Sequence, residues 1–199
     1  MEAKNKIRIA YQWYVTSEIV TGSHICENRS IFQARLNSMH LQLLKKYSKE
    51  SVALLDATVG EIGINCFDHN VGQWQDIPGC WFDYGFEKDN KMWIVISDRG
   101  QGVLSSLRKV VPELKNDQEA LETAFQKRIS GRSPEQRGNG LKFVRNIING
   151  NVDRGLLYLS GRGKVLLGNL VQEASQLFEI KKTTEKGTFS LLIWKIHEN

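Results

Sequence analysis

The chain has 199 residues and a net charge of +5, with 41% hydrophobic and 25% charged residues, a balance that supports a globular core without disulfides or metal. No apolar run approaches the about 18 residues of a membrane helix, and Met1-Glu2-Ala3-Lys4-Asn5-Lys6 lacks a signal core, so a cytoplasmic protein with no membrane partner is expected. The modest positive charge suits a polyphosphate or an acidic partner and gives no reason to expect direct nucleic-acid binding.

Residues 1–50 differ in character from the rest and are expected to form an N-terminal helical extension to a domain spanning 51–199. Tyr11, Trp13 and Tyr14 are expected in a core. Ile31, Phe32, Leu36, Met39, Leu43 and Tyr47 recur at three- and four-residue steps, which predicts an amphipathic helix from about Ser30 to Lys49. That helix is expected to pack on the domain or to form a homodimer interface. A second helix is predicted from Ser51 to about Asn70, with Leu55, Val59, Ile62 and Cys66 as its apolar stripe.

Cys80–Phe86 and Lys91–Ser97 are rich in aromatic and β-branched residues and are joined by Glu87-Lys88-Asp89-Asn90, a hairpin signal. Beyond them, Val103 to Arg145 holds nine Lys/Arg against five Asp/Glu, with a helix predicted near Asp117–Lys127. Another helix should start near Gly138–Leu141 and end near Asn149. Strands are predicted at Leu156–Ser160, Lys164–Leu167 and Thr188–Ile196, and 168–186 as a loop with some helical content. The pattern predicts an α+β fold, a two-layer α/β sandwich with a mixed β-sheet covered by helices on one face. Cys26, Cys66 and Cys80 show neither a CxxC pair nor a zinc pattern and read as reduced, packed thiols.

Three short stretches carry chemistry. Glu61, Asn65 and His69 step by four residues, so they share one helix face, about 100° from the buried stripe. A carboxamide oxygen such as that of Asn65 suits Mg²⁺, which takes a few protein oxygens with phosphate and water. A carboxylate such as Glu61 can accept a proton from an attacking water or hydroxyl. The strand Ile94-Val95-Ile96-Ser97 then runs into Asp98-Arg99-Gly100-Gln101-Gly102. An Asp at a strand end can accept from an exocyclic amino group such as that of adenine, and the glycines let backbone approach a ligand. Finally, Arg137-Gly138-Asn139-Gly140-Leu141-Lys142 opens an apolar-periodic helix with free N–H groups and a positive dipole end suited to phosphate. Arg132, Arg137 and Lys142 could add charge there.

In this order and spacing, the three stretches resemble the GHKL ATP-binding superfamily of gyrase-type ATPases, mismatch-repair ATPases and histidine kinases. Glu61-Ile62-Gly63-Ile64-Asn65 resembles its N box, Asp98-x-Gly100-x-Gly102 its G1 box, and Gly138-Asn139-Gly140-Leu141 its G2 box. Lys186-Gly187-Thr188-Phe189 is similar to its terminal glycine-threonine strand, so the resemblance covers about 50–196. It implies a Bergerat-type fold with ATP and Mg²⁺ as cofactors. Asn65 would coordinate Mg²⁺, and Asp98 would bond the adenine amino group with Thr188 near the base. Gly100 and Gly102 would shape the pocket, Gly138 and Gly140 would meet phosphates, and Glu61 would be the general base. A mobile lid is implied at about 103–137.

Lys142 replaces the last glycine of the histidine-kinase GxGLG pattern, which brings the chain closer to the small anti-sigma-factor serine kinases. His40 lacks the acidic neighbour and following proline of a phosphoacceptor and reads as a helix-surface histidine, with His24 and His197 incidental. The expected function is therefore a regulatory protein kinase, or a nucleotide-dependent binder, acting on a protein partner such as a sigma-like factor. The alternatives are an ATPase that hydrolyses ATP to drive conformational change, and a non-catalytic nucleotide sensor.

Overall fold

A computed structural model describes residues 2–16, 22–126, 140–175 and 187–198. Seven helices and six strands occur among them: α1 (Glu2–Val15), β1 (Ile25–Cys26), α2 (Arg29–Leu43), α3 (Lys49–Asp68), β2 (Cys80–Phe86), β3 (Lys91–Asp98), α4 (Gly102–Leu107), α5 (Asp117–Gln126), α6 (Gly140–Ile148), β4 (Arg154–Ser160), β5 (Gly163–Leu167), α7 (Gln172–Ser175) and β6 (Thr188–Lys195). None of the described helices is long and apolar enough to cross a membrane.

The two longest helices, α2 and α3, start where the sequence supplies an oxygen for their free N–H groups. The Asn28 carboxamide accepts from Ile31 N at 3.0 Å at the start of α2, and Ser48 Oγ from Ser51 N at 3.2 Å at the start of α3. The two helices lie against each other so closely that a Cβ on Gly63 would overlap the Phe32 ring. The hairpin of β2 and β3 pairs Cys80 with Asp98 and Phe86 with Met92, and Asp89 and Asn90 turn it with φ near +60° and +55°.

The strands form one sheet in the order β1-β2-β3-β6-β4-β5, and every neighbouring pair is antiparallel. The α+β sandwich is as the sequence predicts, but the sheet is not mixed. The last strand, β6, enters between β3 and β4 and runs opposite to both, while the pairs β2–β3 and β4–β5 are tight hairpins. A parallel neighbour would need a crossover connection instead.

Alternate residues of each strand face opposite ways, which divides the core in two. Phe82, Met92, Ile94, Ile96, Leu156, Tyr158, Leu192 and Trp194 pack under α2, α3, α5 and α6. Trp81, Trp93, Val95, Leu157, Leu159, Phe189, Leu191 and Ile193 pack against Ile7, Ala10, Trp13 and Tyr14 of α1. Thus α1 covers the second face, which the sequence-based sandwich leaves bare. Trp13 and Tyr14 are buried as expected, at 1% and 2% exposure. Cys26, Cys66 and Cys80 are free and buried, with Cys26 directly opposite Cys80 in the β1–β2 pair.

Candidate functional site

Glu61 and Asn65 lie on the side of α3 turned away from its buried stripe, Glu61 exposed and Asn65 half-buried. Their Cα atoms are about 6 Å apart along the helix axis. The Asn65 carboxamide makes no hydrogen bond within the described residues, so its oxygen is open to a ligand. Beside this face, α6 begins at Gly140, and a Cβ there would collide with Glu61 Oε2. A side chain there would push the exposed end of Glu61 aside. Leu141 and Lys142 follow as half-buried residues, Leu141 packing on the main core. Arg137, Gly138 and Asn139 lie outside the described residues.

Further along, at the C-terminal end of α3, the chain meets the end of β3. Asp98 is 1% exposed. Its Oδ1 accepts from Gly100 N at 2.8 Å and from Asn70 Nδ2 at 2.9 Å, and its Oδ2 accepts from Thr188 Oγ1. The Cys66 thiol also faces it. Burial pushes the Asp98 carboxyl up from the ordinary carboxylate range, with the hydrogen bonds opposing in part. A carboxylate accepts about four hydrogen bonds. Three conventional donors and the weakly donating Cys66 thiol fill that number, so an amino group would bind there by replacing the thiol.

Asn70 holds this knot together, because its Nδ2 also donates to Cys66 O at 2.9 Å and its Oδ1 accepts from Gln101 N at 3.0 Å. Gly100 passes so close to the Asn70 carboxamide that a Cβ would overlap it. The turn ends at Gly102, whose φ of +77° suits glycine and starts α4. There Ser160 Oγ accepts from Val103 N at 2.9 Å and donates to Gly187 O at 3.0 Å. The turn, β4 and the start of β6 are thus tied at one point.

His69 follows Asn65 one turn on, its backbone N–H donating to the Asn65 carbonyl at 3.3 Å. It is the C-cap of α3, where Gln101 Nε2 donates to its carbonyl and its Nδ1 lies 3.1 Å from Ser106 Oγ of α4. Burial pushes the imidazole down, and the nearby Lys109 charge adds to this, so at pH 7 the ring is neutral.

The segment expected as a lid begins with two helices. Here Leu107, Leu114 and Ala120 form a small core of their own, while Leu121 and Phe125 of α5 reach the main one. Asp117 Oδ2 accepts from Arg162 N at 3.0 Å, fastening α5 to the β4–β5 hairpin. Residues 127–137 lie outside the described residues.

Of the residues named from sequence, Glu61 meets Gly140 within α3, while Asp98, Gly100, Gly102 and Thr188 meet near its C-terminal end, about two turns further on. Sequence reasoning missed Asn70, Ser160 and Arg99. Asn70 directly follows the Glu61/Asn65/His69 series, and a polar residue just beyond a helix end was a usable signal. Ser160 offered none, because its partners lie 27 and 57 positions away. No protein-family model matches this chain, and no curated protein is significantly similar to it.

Proposed function

We propose that this chain binds ATP with Mg²⁺ along α3, and that it acts as a nucleotide-dependent regulator of a protein partner, transferring phosphate to it or binding it in response to ATP. The observation that carries the proposal is the convergence of two separate stretches on one helix. A buried carboxylate lies beside the C-terminal end of the helix, and a glycine-started helix lies beside an exposed carboxylate about two turns before it. Glu61 to His69 spans about 12 Å of helix, enough for a ligand with an amino-bearing base at one end and phosphates at the other.

The donors fit the metal. Among the described residues there is no group of three or more His, Cys, Asp and Glu side chains able to hold an ion alone. Mg²⁺ typically takes one or two protein oxygens and completes its shell with phosphate and water, and the unengaged Asn65 carboxamide offers such an oxygen. When bound there, the ion would neutralise phosphate charge.

This chain's own residues would do the rest. Asp98 would accept a hydrogen bond from the base, with Thr188 and Asn70 fixing its orientation. Backbone N–H groups at the start of α6 would meet phosphate oxygens. Glu61 would take the proton from the attacking hydroxyl of the partner. Hydrolysis is the second reading, favoured by the exposure of Glu61, because water can reach it as readily as a partner hydroxyl. We assign the protein to the cytoplasm on the same reading, with a sigma-like factor as the class of partner.

Asn65→Ala tests the metal assignment by binding alone. The Mg²⁺-dependent part of ATP affinity should fall by about tenfold or more, at least the loss that outer-shell metal partners produce, while affinity measured in chelator stays unchanged. Equal Mg²⁺ dependence in wild type and variant, by calorimetric titration, would remove Asn65 from the site.

A further inference from the structure

Arg99 stands inside the Asp98–Gly102 turn, yet its side chain leaves the expected ligand face and crosses to the opposite side of the sheet. It is 4% exposed. Its Nε donates to the Trp13 carbonyl at 2.7 Å, and Nη2 donates to the same oxygen. Nη1 donates to Asp76 Oδ2 at 2.7 Å, and the guanidinium lies 4.3 Å from the centroid of the Trp13 ring. Trp13 belongs to the last turn of α1. Carbonyls there lack helical partners and carry the negative end of the helix dipole, so a cation satisfies both. The Arg99 carbonyl accepts in turn from Gln75 N at 3.1 Å. One residue therefore joins the turn, the 70–79 loop and the end of α1.

Tyr14, next to Trp13, is also buried, with its hydroxyl unpaired among the described residues and within the field of Asp98. Burial first, and then the Asp98 charge, push that phenol up. Fork-shaped Arg fits this geometry and Lys does not, because two N–H groups converge on one carbonyl while a third reaches Asp76.

We propose that Arg99 is a positioning residue that couples α1 to the Asp98–Gly102 turn, so that occupancy of the turn tightens the C-terminal end of α1. This rests on the nucleotide-binding reading above. A ligand that orders the turn orders the Arg99 backbone, and with it the guanidinium and the Trp13 carbonyl. By reciprocity, whatever loosens α1 weakens the ligand. The N-terminal helix is then an element through which occupancy is reported on the far face of the sheet.

Hydrogen–deuterium exchange of the full chain, with and without Mg²⁺ and ATP, tests this together with ATP titration of Arg99→Lys. In the wild type, amides of residues 10–16 should exchange more slowly with ATP. In Arg99→Lys that slowing should vanish and ATP affinity should fall by about tenfold, although the charge is kept. An arginine that merely holds the fold would shift the thermal midpoint without any ATP-dependent change in α1.

Should Arg99→Lys fail to fold, Asp76→Asn serves instead, since Asp76 is 34% exposed in its side chain. It should shrink the slowing while the chain remains folded, with at most a lowered thermal midpoint. Wild-type ATP binding with no change in α1 exchange overturns the coupling and leaves the nucleotide reading standing. An absence of ATP binding overturns both. Unchanged slowing in a folded variant also overturns the coupling.

Discussion

Asp98→Asn is expected to leave the protein at least as stable as wild type at pH 7 while weakening ATP by about ten- to a hundredfold. The two effects separate because the carboxylate is held at a cost. It is buried, and burial raises its pKa above the unfolded value of about 3.9. The folded state keeps its proton to higher pH than the unfolded state does. Asp98 therefore costs stability as pH rises from the unfolded value through the folded one, and the cost stays constant above that.

Asparagine keeps the shape and removes the charge. Gly100 N and Asn70 Nδ2 can still donate to its oxygen, and the Thr188 hydroxyl can rotate to accept from its nitrogen. What is lost is an acceptor for the ligand's amino group, replaced by a donor. Thermal midpoints from acid to neutral pH, beside ATP titrations, check both halves. A variant much less stable than wild type at pH 7 would show that the ionised form is what the fold requires.

Glu61→Gln is expected to reduce phosphate transfer or hydrolysis by about a hundred- to ten-thousandfold, the usual contribution of a general base, with ATP affinity nearly unchanged. Glutamine preserves the packing against Gly140, where the carboxylate occupies the space that a Cβ would need. It cannot take a proton. Label transfer to a partner, and phosphate release without one, measure the two acceptors separately. Full turnover in Glu61→Gln would mean that no proton passes through this residue.

Periodicity made much of the fold legible. The stripe of Leu55, Val59, Ile62 and Cys66 is buried in α3, and the hairpin of β2 and β3 lies where aromatic and β-branched runs flank Glu87–Asn90. Strand direction was not legible, because it depends on β6 entering between β3 and β4, about 90 residues after β3 in the chain. Residues 1–50 are expected only as a helical extension, so α1 itself is not delimited there, although Ile7, Ala10, Trp13 and Tyr14 have helical spacing.

In the candidate site, Asp98 and Thr188 could be paired in advance only through the order of motifs, because 90 positions separate them. The roles of Arg99 and Ser160 depend on partners brought near by the sheet, Trp13 86 positions before Arg99 and Gly187 27 after Ser160. Local pattern carries no trace of such contacts.

The central claim is that Asp98, Asn65 and the start of α6 together hold ATP with Mg²⁺. Calorimetric titration of the wild-type chain with ATP tests it most directly, run in Mg²⁺ and again in chelator, with GTP as the control for base recognition. The expected result is saturable, one-to-one binding that is tighter in Mg²⁺ and favours ATP, whose base donates to Asp98 from a 6-amino group where guanine has a carbonyl oxygen. No binding at millimolar ATP, or equal binding of ATP and GTP, would contradict it.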